Sequence, residues 1–329
     1  MSRHAWGSLG LIGLLVVVVG ARLLVGPGGY GWSELSSPFL SLRAHAVGIA
    51  SLAGAALSLA GLLMQGLFRN PLAEPGILGI GAGANLGGMV AMTFGDALAR
   101  RWHSTLPAEL YLALGAILGA WVVLAVLLSV MRRRLDPVSV LLVGVVLTMF
   151  LGSVGAVFRA LIADRWELSR AILAFTMGDI TGKGARHLLL AAPLVFTGAI
   201  ATWLLGPELD LLASGEDEAA SLGVDVSRVR LWTVIWTSVL VAAAVAIGGA
   251  VAFVGLLVPQ LLRQMFGFQH RALVFRAVLL GAILLVACDG LSVAVDSVNL
   301  IPLGGITGLL GAPLFFVLLL RARASNGFG

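Results

Sequence analysis

The feature that most constrains this chain is a series of apolar runs, each close to the ~20 residues an α-helix needs to cross a bilayer. They fall at about Leu9–Val25, Val47–Leu67, Ile77–Phe94, Leu106–Met131, Val138–Ile162, His187–Leu205, Leu231–Gly249, Val251–Phe266, Ala272–Val293 and Leu303–Leu320. Hydrophobic residues make up 59% of the 329 and charged residues 11%, with a mean hydropathy of +1.04. A soluble domain carries about a quarter charged residues, and a membrane β-barrel alternates in ~10-residue segments. Neither pattern is present. The expectation is an all-α polytopic membrane protein of about ten transmembrane helices, a single transmembrane domain over residues 1–329. The eighth run, GGAVAFVGLLVPQLLR, holds glycines and Pro259 and reads as a broken or short helix. Arg3 and His4 ahead of the first run imitate a signal peptide, but no small-x-small cleavage pattern follows, so the run reads as the first span.

The net charge of +5 and pI near 10.6 are not a nucleic-acid signature, because no basic run is interleaved with stacking aromatics. They fit a membrane protein that collects arginine in its cytoplasmic loops. An even number of spans puts both termini on one side. The cluster Arg132–Arg134 and the pair Arg321 and Arg323 place that side in the cytoplasm. The single cysteine, Cys288, excludes an intrachain disulfide and a cysteine-cluster metal site.

Against this background one stretch stands out, GPELDLLASGEDEAASLGVDVSRVR at 206–230. It holds Glu208, Asp210, Glu216, Asp217, Glu218 and Asp225 out of 16 acids in all. Ser214 to Gly223 reads as a short helix. Ser214 is a candidate cap, three acids fill the first turn at the positive end of the dipole, and Gly223 ends it. Ala219 and Leu222, three apart, are expected to share a small apolar face. Two readings stay open on the residues alone: a solvated loop helix between spans, or a docking element for a soluble partner. The turn after the second span, Arg69-Asn70-Pro71-Leu72-Ala73-Glu74-Pro75-Gly76, is rigid, with Glu74 placed to cap the third span. Small residues at Gly79, Gly83 and Gly87, and at Ala50, Gly54 and Ser58, form four-residue ridges that let helices approach closely.

No catalytic or nucleotide site is legible. Gly79-Ile-Gly81-Ala-Gly83-Ala84 matches the dinucleotide fingerprint formally, but inside a membrane run rather than after a strand. Gly178-Asp-Ile-Thr-Gly182-Lys183-Gly184 is one residue short of a phosphate loop and lacks its Ser or Thr. The five histidines fall at span ends or in loops, and neither HExxH nor GxSxG occurs. If ATP drives this chain, another subunit hydrolyses it. Arg159 near the outer end of the fifth span and Asp289 within the ninth are the ionisable residues most exposed to a functional reading, against snorkelling or an interhelical bond. The charged segment 163–186 reads as a cap on the outer side or a receptor for an external protein.

Four segments resemble the permeases of type II ABC importers, the family that carries iron–siderophore complexes, heme and cobalamin. They are MQGLFRNPLAEPGILGIGAGANLG (64–87), EAASLGVDVSRVR (218–230), GGAVAFVGLLVPQLLRQMFGFQHRAL (248–273) and IPLGGITGLLGAPLFFVLLLR (301–321), in the family's order. The resemblance implies a cobalamin-importer-permease-like subunit with a short cytoplasmic coupling helix. It implies pairing with a second copy around a translocation path lined by the fifth and tenth spans. Two ATP-binding cassette subunits, which would hold ATP and magnesium, are expected at the cytoplasmic face. A periplasmic substrate-binding protein is expected at the outer face of the bacterial inner membrane. On this resemblance Glu216, Glu218, Ala219, Leu222 and Gly223 meet the ATPase, Asp136, Pro137, Val138 and Ser139 lie at a gate with Arg159 further along the path, and Arg43 contacts the binding protein. The chain itself is expected to hold no cofactor and no metal. It departs from the family at Arg43-Ala-His45-Ala46, where a second arginine is usual, at Val258-Pro259-Gln260, where histidine is usual, and at Val293 and Leu300, where an arginine and a glutamate are usual. The near absence of charge in the expected lining suits a bulky, partly apolar cargo. Heme is favoured, ahead of a ferric siderophore and cobalamin. An ion-coupled secondary transporter is the rival reading, and it would need acid pairs at mid-membrane that the spans lack, Asp289 apart.

Overall fold

Apolar side chains all along a segment leave the backbone no water to bond, so each segment must close its own hydrogen bonds as a helix. A computed structural model, describing residues 3–26, 29–31, 39–101, 108–131, 137–180, 183–295 and 301–326, shows twelve α-helices and one two-residue β-ladder that pairs Val25 with Tyr30. Ten helices answer the ten expected spans: α1 (Arg3–Leu23), α2 (Leu40–Leu67), α3 (Ile80–Arg101), α4 (Ala108–Met131), α5 (Pro137–Leu161), α7 (Ala185–Leu212), α9 (Val226–Gly248), α10 (Val254–Phe266), α11 (His270–Val295) and α12 (Leu303–Asn326). The two short helices are α6 (Trp166–Met177), inside the charged segment 163–186, and α8 (Glu216–Ser221), inside the acidic stretch. Among the described residues, seven helices are long and apolar enough to cross a membrane. The sixth expected span runs seven residues further than its apolar run, to Leu212, and α10 has only 13 residues.

The centre of the bundle is α2, which packs against α1, α7, α9, α10 and α11. Its sequence explains the position. Ala50, Ala53, Gly54, Ala56, Ser58, Ala60 and Gly61 leave little side chain on any face, so five neighbours can approach. At Gly54 any Cβ would overlap the carbonyl oxygen of Gly281 on α11, and Ser58 Oγ donates to Ala277 O at 2.7 Å one turn on. The Ala50–Gly54–Ser58 ridge is therefore the α2–α11 seam. The second expected ridge also finds its partner. Gly83 and Gly87 of α3 meet Gly115 and Gly119 of α4, backbone on backbone. Gly79 stands outside that ridge: at φ 78 it ends a 3-10 turn, Pro75–Leu78, just ahead of α3.

Peripheral helices show the opposite composition. Exposed Leu142, Val146, Met149, Phe150, Val157 and Leu161 leave one side of α5 without a partner in the single chain. Asp289 does not stand free in α11. It is paired with Arg22 of α1, and both side chains are buried.

Candidate coupling surface and broken-helix cavity

The α8 unit is built to hold its shape while staying outside the bundle. Gly215, at φ 139, turns the chain into the helix and is its N-cap, and Ser214 makes no capping bond there. Glu216, Asp217 and Glu218 fill the first turn. At the other end Gly223 adopts φ 89, with Gly223 N donating to Ala220 O at 3.0 Å and Val224 N to Ala219 O at 3.0 Å. That double closure is a Schellman motif, which needs glycine at its left-handed position. Asp225 then caps α9 by accepting from Arg228 N at 3.0 Å. Arg230 Nη2 donates to Glu216 Oε1 at 2.7 Å, which pins α8 onto α9.

The expected apolar pair separates. Ala219 is fully buried in the chain's own core and Leu222 is 61% exposed, because Leu222 sits at the C-cap and no longer follows the helical rotation. Ala219 therefore anchors α8 from within. The surface left outward consists of Asp217, Glu218, Ala220, Ser221, Leu222 and Gly223. Glu216 is half taken up by Arg230.

The turn 69–76 is as rigid as its prolines suggest. Arg69 takes a left-handed φ of 48, and Asn70 Oδ1 accepts from Leu72 N at 2.9 Å, while Pro71 and Gly76 are exposed and Pro75 is buried. Glu74 differs from its expected role. Its carboxylate does not cap α3; Oε1 accepts from Phe253 N at 2.9 Å, at the start of α10. A carboxylate there answers an unpaired N–H and the positive end of the helix dipole together. Glu74→Ala should cost about 1 kcal/mol of stability, and Glu74→Gln, which keeps the acceptor, should cost less. Denaturation curves in detergent with the three proteins indistinguishable would count against this cap.

Phe253 marks where the eighth run breaks. Helix α9 stops at Gly248 beside Ala53 of α2, well before the end of that helix, and α10 restarts at Val254 after Phe253 at φ 67. Gly249, at φ 70, lies so close to Phe175 O that no Cβ fits. The end of α6 and the start of α12 meet at the same place, where Leu303 N donates to Gly178 O at 3.1 Å. A cavity of about 600 Å³ opens beside this junction. Its walls are Leu57, Pro75, Val241, Val245, Ala250 and Val251 with glycines and Met177, and among the described residues its polar side chains are Glu74, Asn85 and Thr176. The break itself was readable from the glycines, whereas Pro259 lies inside α10 and does not interrupt it. That four chain segments meet there was not readable, since they are remote in sequence.

Other expected residues fall elsewhere. Arg43 is buried, at 6% exposure, with Nη1 donating to Leu23 O at 3.3 Å, so the fold turns it inward rather than toward an external protein. Arg159 is half-buried near the end of α5. Ser139 lies in the first turn of α5; Asp136 lies outside the described residues, as do the side chains of Pro137 and Val138. Lys183, in the loop before α7, donates to Ile247 O at 2.6 Å at the end of α9. Burial pushes its ammonium down to about 8, with Asp179 pulling the other way. A lysine spent on a helix C-terminus cannot serve a phosphate loop. The other nucleotide look-alike, at Gly79, follows a 3-10 turn rather than a strand.

A bundle of long apolar helices with a short, locked acidic helix on its outside defines a polytopic membrane protein. Residues 9–321 match the FecCD transport family, and the chain belongs to it. It is a permease of the type II ABC importer class, in which ATP hydrolysis takes place in a partner subunit. It is 35% identical over 291 residues to the hemin transport system permease protein HmuU of Yersinia pestis, covering 87% of this chain and 84% of that one. To the vitamin B12 import system permease protein BtuC of Vibrio cholerae it is 36% identical over 327 residues, covering 96% and 94%. A solved inward-facing structure assigned to the metal-chelate type of ABC transporter superposes with a TM-score of 0.85 at 28% identity, covering 97% of this chain and 99% of that one.

Proposed function

We propose that this chain is the transmembrane permease of a binding-protein-dependent importer that moves a bulky metal chelate, heme in preference to a ferric siderophore or cobalamin, across the bacterial inner membrane. The observation that carries the reading is α8: a short acidic helix, closed at both ends and pinned by Glu216–Arg230, that leaves Leu222 bare. An exposed leucine held this rigidly on a membrane protein suits a packing contact with a soluble subunit. The α8 end is then the cytoplasmic side, with both termini and the Arg69–Gly76 turn, and two ATP-binding cassette subunits dock there. A second copy pairs across the bare apolar side of α5, and the cargo passes between the copies, by Ser139 and Arg159. A periplasmic binding protein delivers it at the opposite end.

Relatives whose names specify hemin and vitamin B12 support a chelate cargo. Among the described residues Asp289 is the one buried acid, and it is paired with an arginine rather than with the second acid or histidine that an ion-coupled mechanism would want. The test is ATP hydrolysis by the reconstituted complex in liposomes, with binding protein loaded with hemin, a ferric siderophore or cobalamin. Hemin is expected to stimulate hydrolysis several-fold. Stimulation by another chelate alone would overturn the heme assignment, and none with any chelate would overturn the importer reading.

A further inference from the structure

Helix α7 carries a proline four residues past Trp203, and its last turn leads directly into α8. Pro207 has no N–H, so the carbonyl of Trp203 loses its helical partner and the helix is weakened at that point. The start of α11 occupies both sides of this weak point. Before it, Arg271 Nε donates to the freed Trp203 O at 3.2 Å, and the guanidinium lies over the Trp203 ring at 4.2 Å from its centroid. Beyond it, Asp210 Oδ1 accepts from His270 N at 3.1 Å and meets His270 Nδ1 at 2.6 Å. One carboxylate oxygen thus caps the first turn of α11 and holds its first side chain.

The contact continues inward. The His270 ring is buried and packs on Gly66 of α2, where any Cβ would stand 2.6 Å from Nε2. The preceding residue, Gln65, accepts from Arg263 Nη1 at 2.7 Å and donates to Leu256 O at 3.1 Å, so it grips α10 in two places. Asp210, His270, Gly66, Gln65 and Arg263 line a cavity of about 890 Å³ between the end of α7, the start of α11, α2 and α10.

We propose that Pro207 is a hinge and Asp210 the positioning residue that carries displacement of α8 into α11, α2 and α10. The proposal rests on the reading of α8 as the contact with the ATPase. With the hinge above it, the segment 208–212 is a short lever on α8. The Asp210–His270 pair is the polar tie by which that lever pulls on the bundle, and Arg271 holds the helix above the hinge still. Asp210 touches neither cargo nor nucleotide in this scheme.

The test uses the full complex in a Cys288→Ser background, with a nitroxide at Ser214, exposed just ahead of α8 and outside its outward face, or at Met265 on α10 in each copy. Distances between the two copies' labels are compared with and without ATP plus vanadate. In the otherwise native complex both distances should shift. In Asp210→Ala the Ser214 shift should remain and the Met265 shift should be lost, with ATP hydrolysis continuing. Asp210→Asn keeps an acceptor oxygen and should restore the Met265 shift, which a general loss of stability would not predict. If Asp210→Ala does not fold, His270→Ala, which spares the backbone bond, should reduce the Met265 shift. A full Met265 shift in the alanine variants, no Met265 shift in the native complex, or no rescue by asparagine would overturn the proposal. So would loss of the Ser214 shift in Asp210→Ala, which would make Asp210 a docking residue. No Ser214 shift in the native complex would instead overturn the reading of α8 on which the proposal rests.

Discussion

Replacing Gly54 by leucine is expected to leave little folded protein. The neighbour at that point is the Gly281 carbonyl, a backbone group that cannot rotate aside as a side chain would. Helix α2 cannot retreat either, since Gly248 lies against Ala53 and Gly255 against Gly61 on its other sides. Overpacking a core commonly costs ~1–3 kcal/mol, and an unyielding backbone contact belongs at or above the top of that range. Gly54→Leu should therefore lose about 3 kcal/mol or more in detergent unfolding. Gly13→Leu is the control, because a Cβ there meets nothing within 4 Å. It should be neutral or gain up to about 1 kcal/mol from helix propensity. Similar losses in both variants would show that the α2–α11 seam is not what fixes the core.

Leu222→Arg is expected to abolish co-purification of the ATPase while leaving the permease folded and inserted. The side chain is 61% exposed, so the charge costs the free chain little. In a docked complex it would be forced into the packing contact. Losing a central apolar contact residue costs about 2 kcal/mol or more, roughly a 30-fold loss of affinity. Ala219→Arg makes the contrast: Ala219 is fully buried within the chain, so that variant should fail to fold rather than fail to bind. Normal recovery of the partner with Leu222→Arg would remove Leu222 from the interface.

Much of the fold was legible because it rests on local chemistry. Ten helices follow from ten apolar runs, and the Ala50–Gly54–Ser58 and Gly83–Gly87 ridges were readable at a spacing of four. The α8 unit was also readable, since acids in a first turn and a glycine at the end are local signals. Its outward face was not. One rotation step at the C-cap separates Ala219 from Leu222, and only the contact with α7 and α9 shows which is buried. Glu74 misled for a similar reason. Its position before Pro75 suggests a local cap, but the unpaired N–H it reaches belongs to Phe253, 179 residues away. Arg43 reads as an outer-face charge until packing turns it inward.

By itself the sequence determined that this chain is a helical membrane bundle, where its helices lie, which of them pack by small residues, and that its acidic helix stands apart. Periodicity, caps and glycine spacing are properties of a few neighbouring residues, and membrane burial forces the helical state. The tertiary structure alone decided which helix is central, where α6, α9, α10 and α12 meet, and what holds the Pro207 hinge. Those contacts join residues tens to hundreds of positions apart, such as Asp210 with His270 and Gln65 with Arg263, and no local pattern specifies the partner.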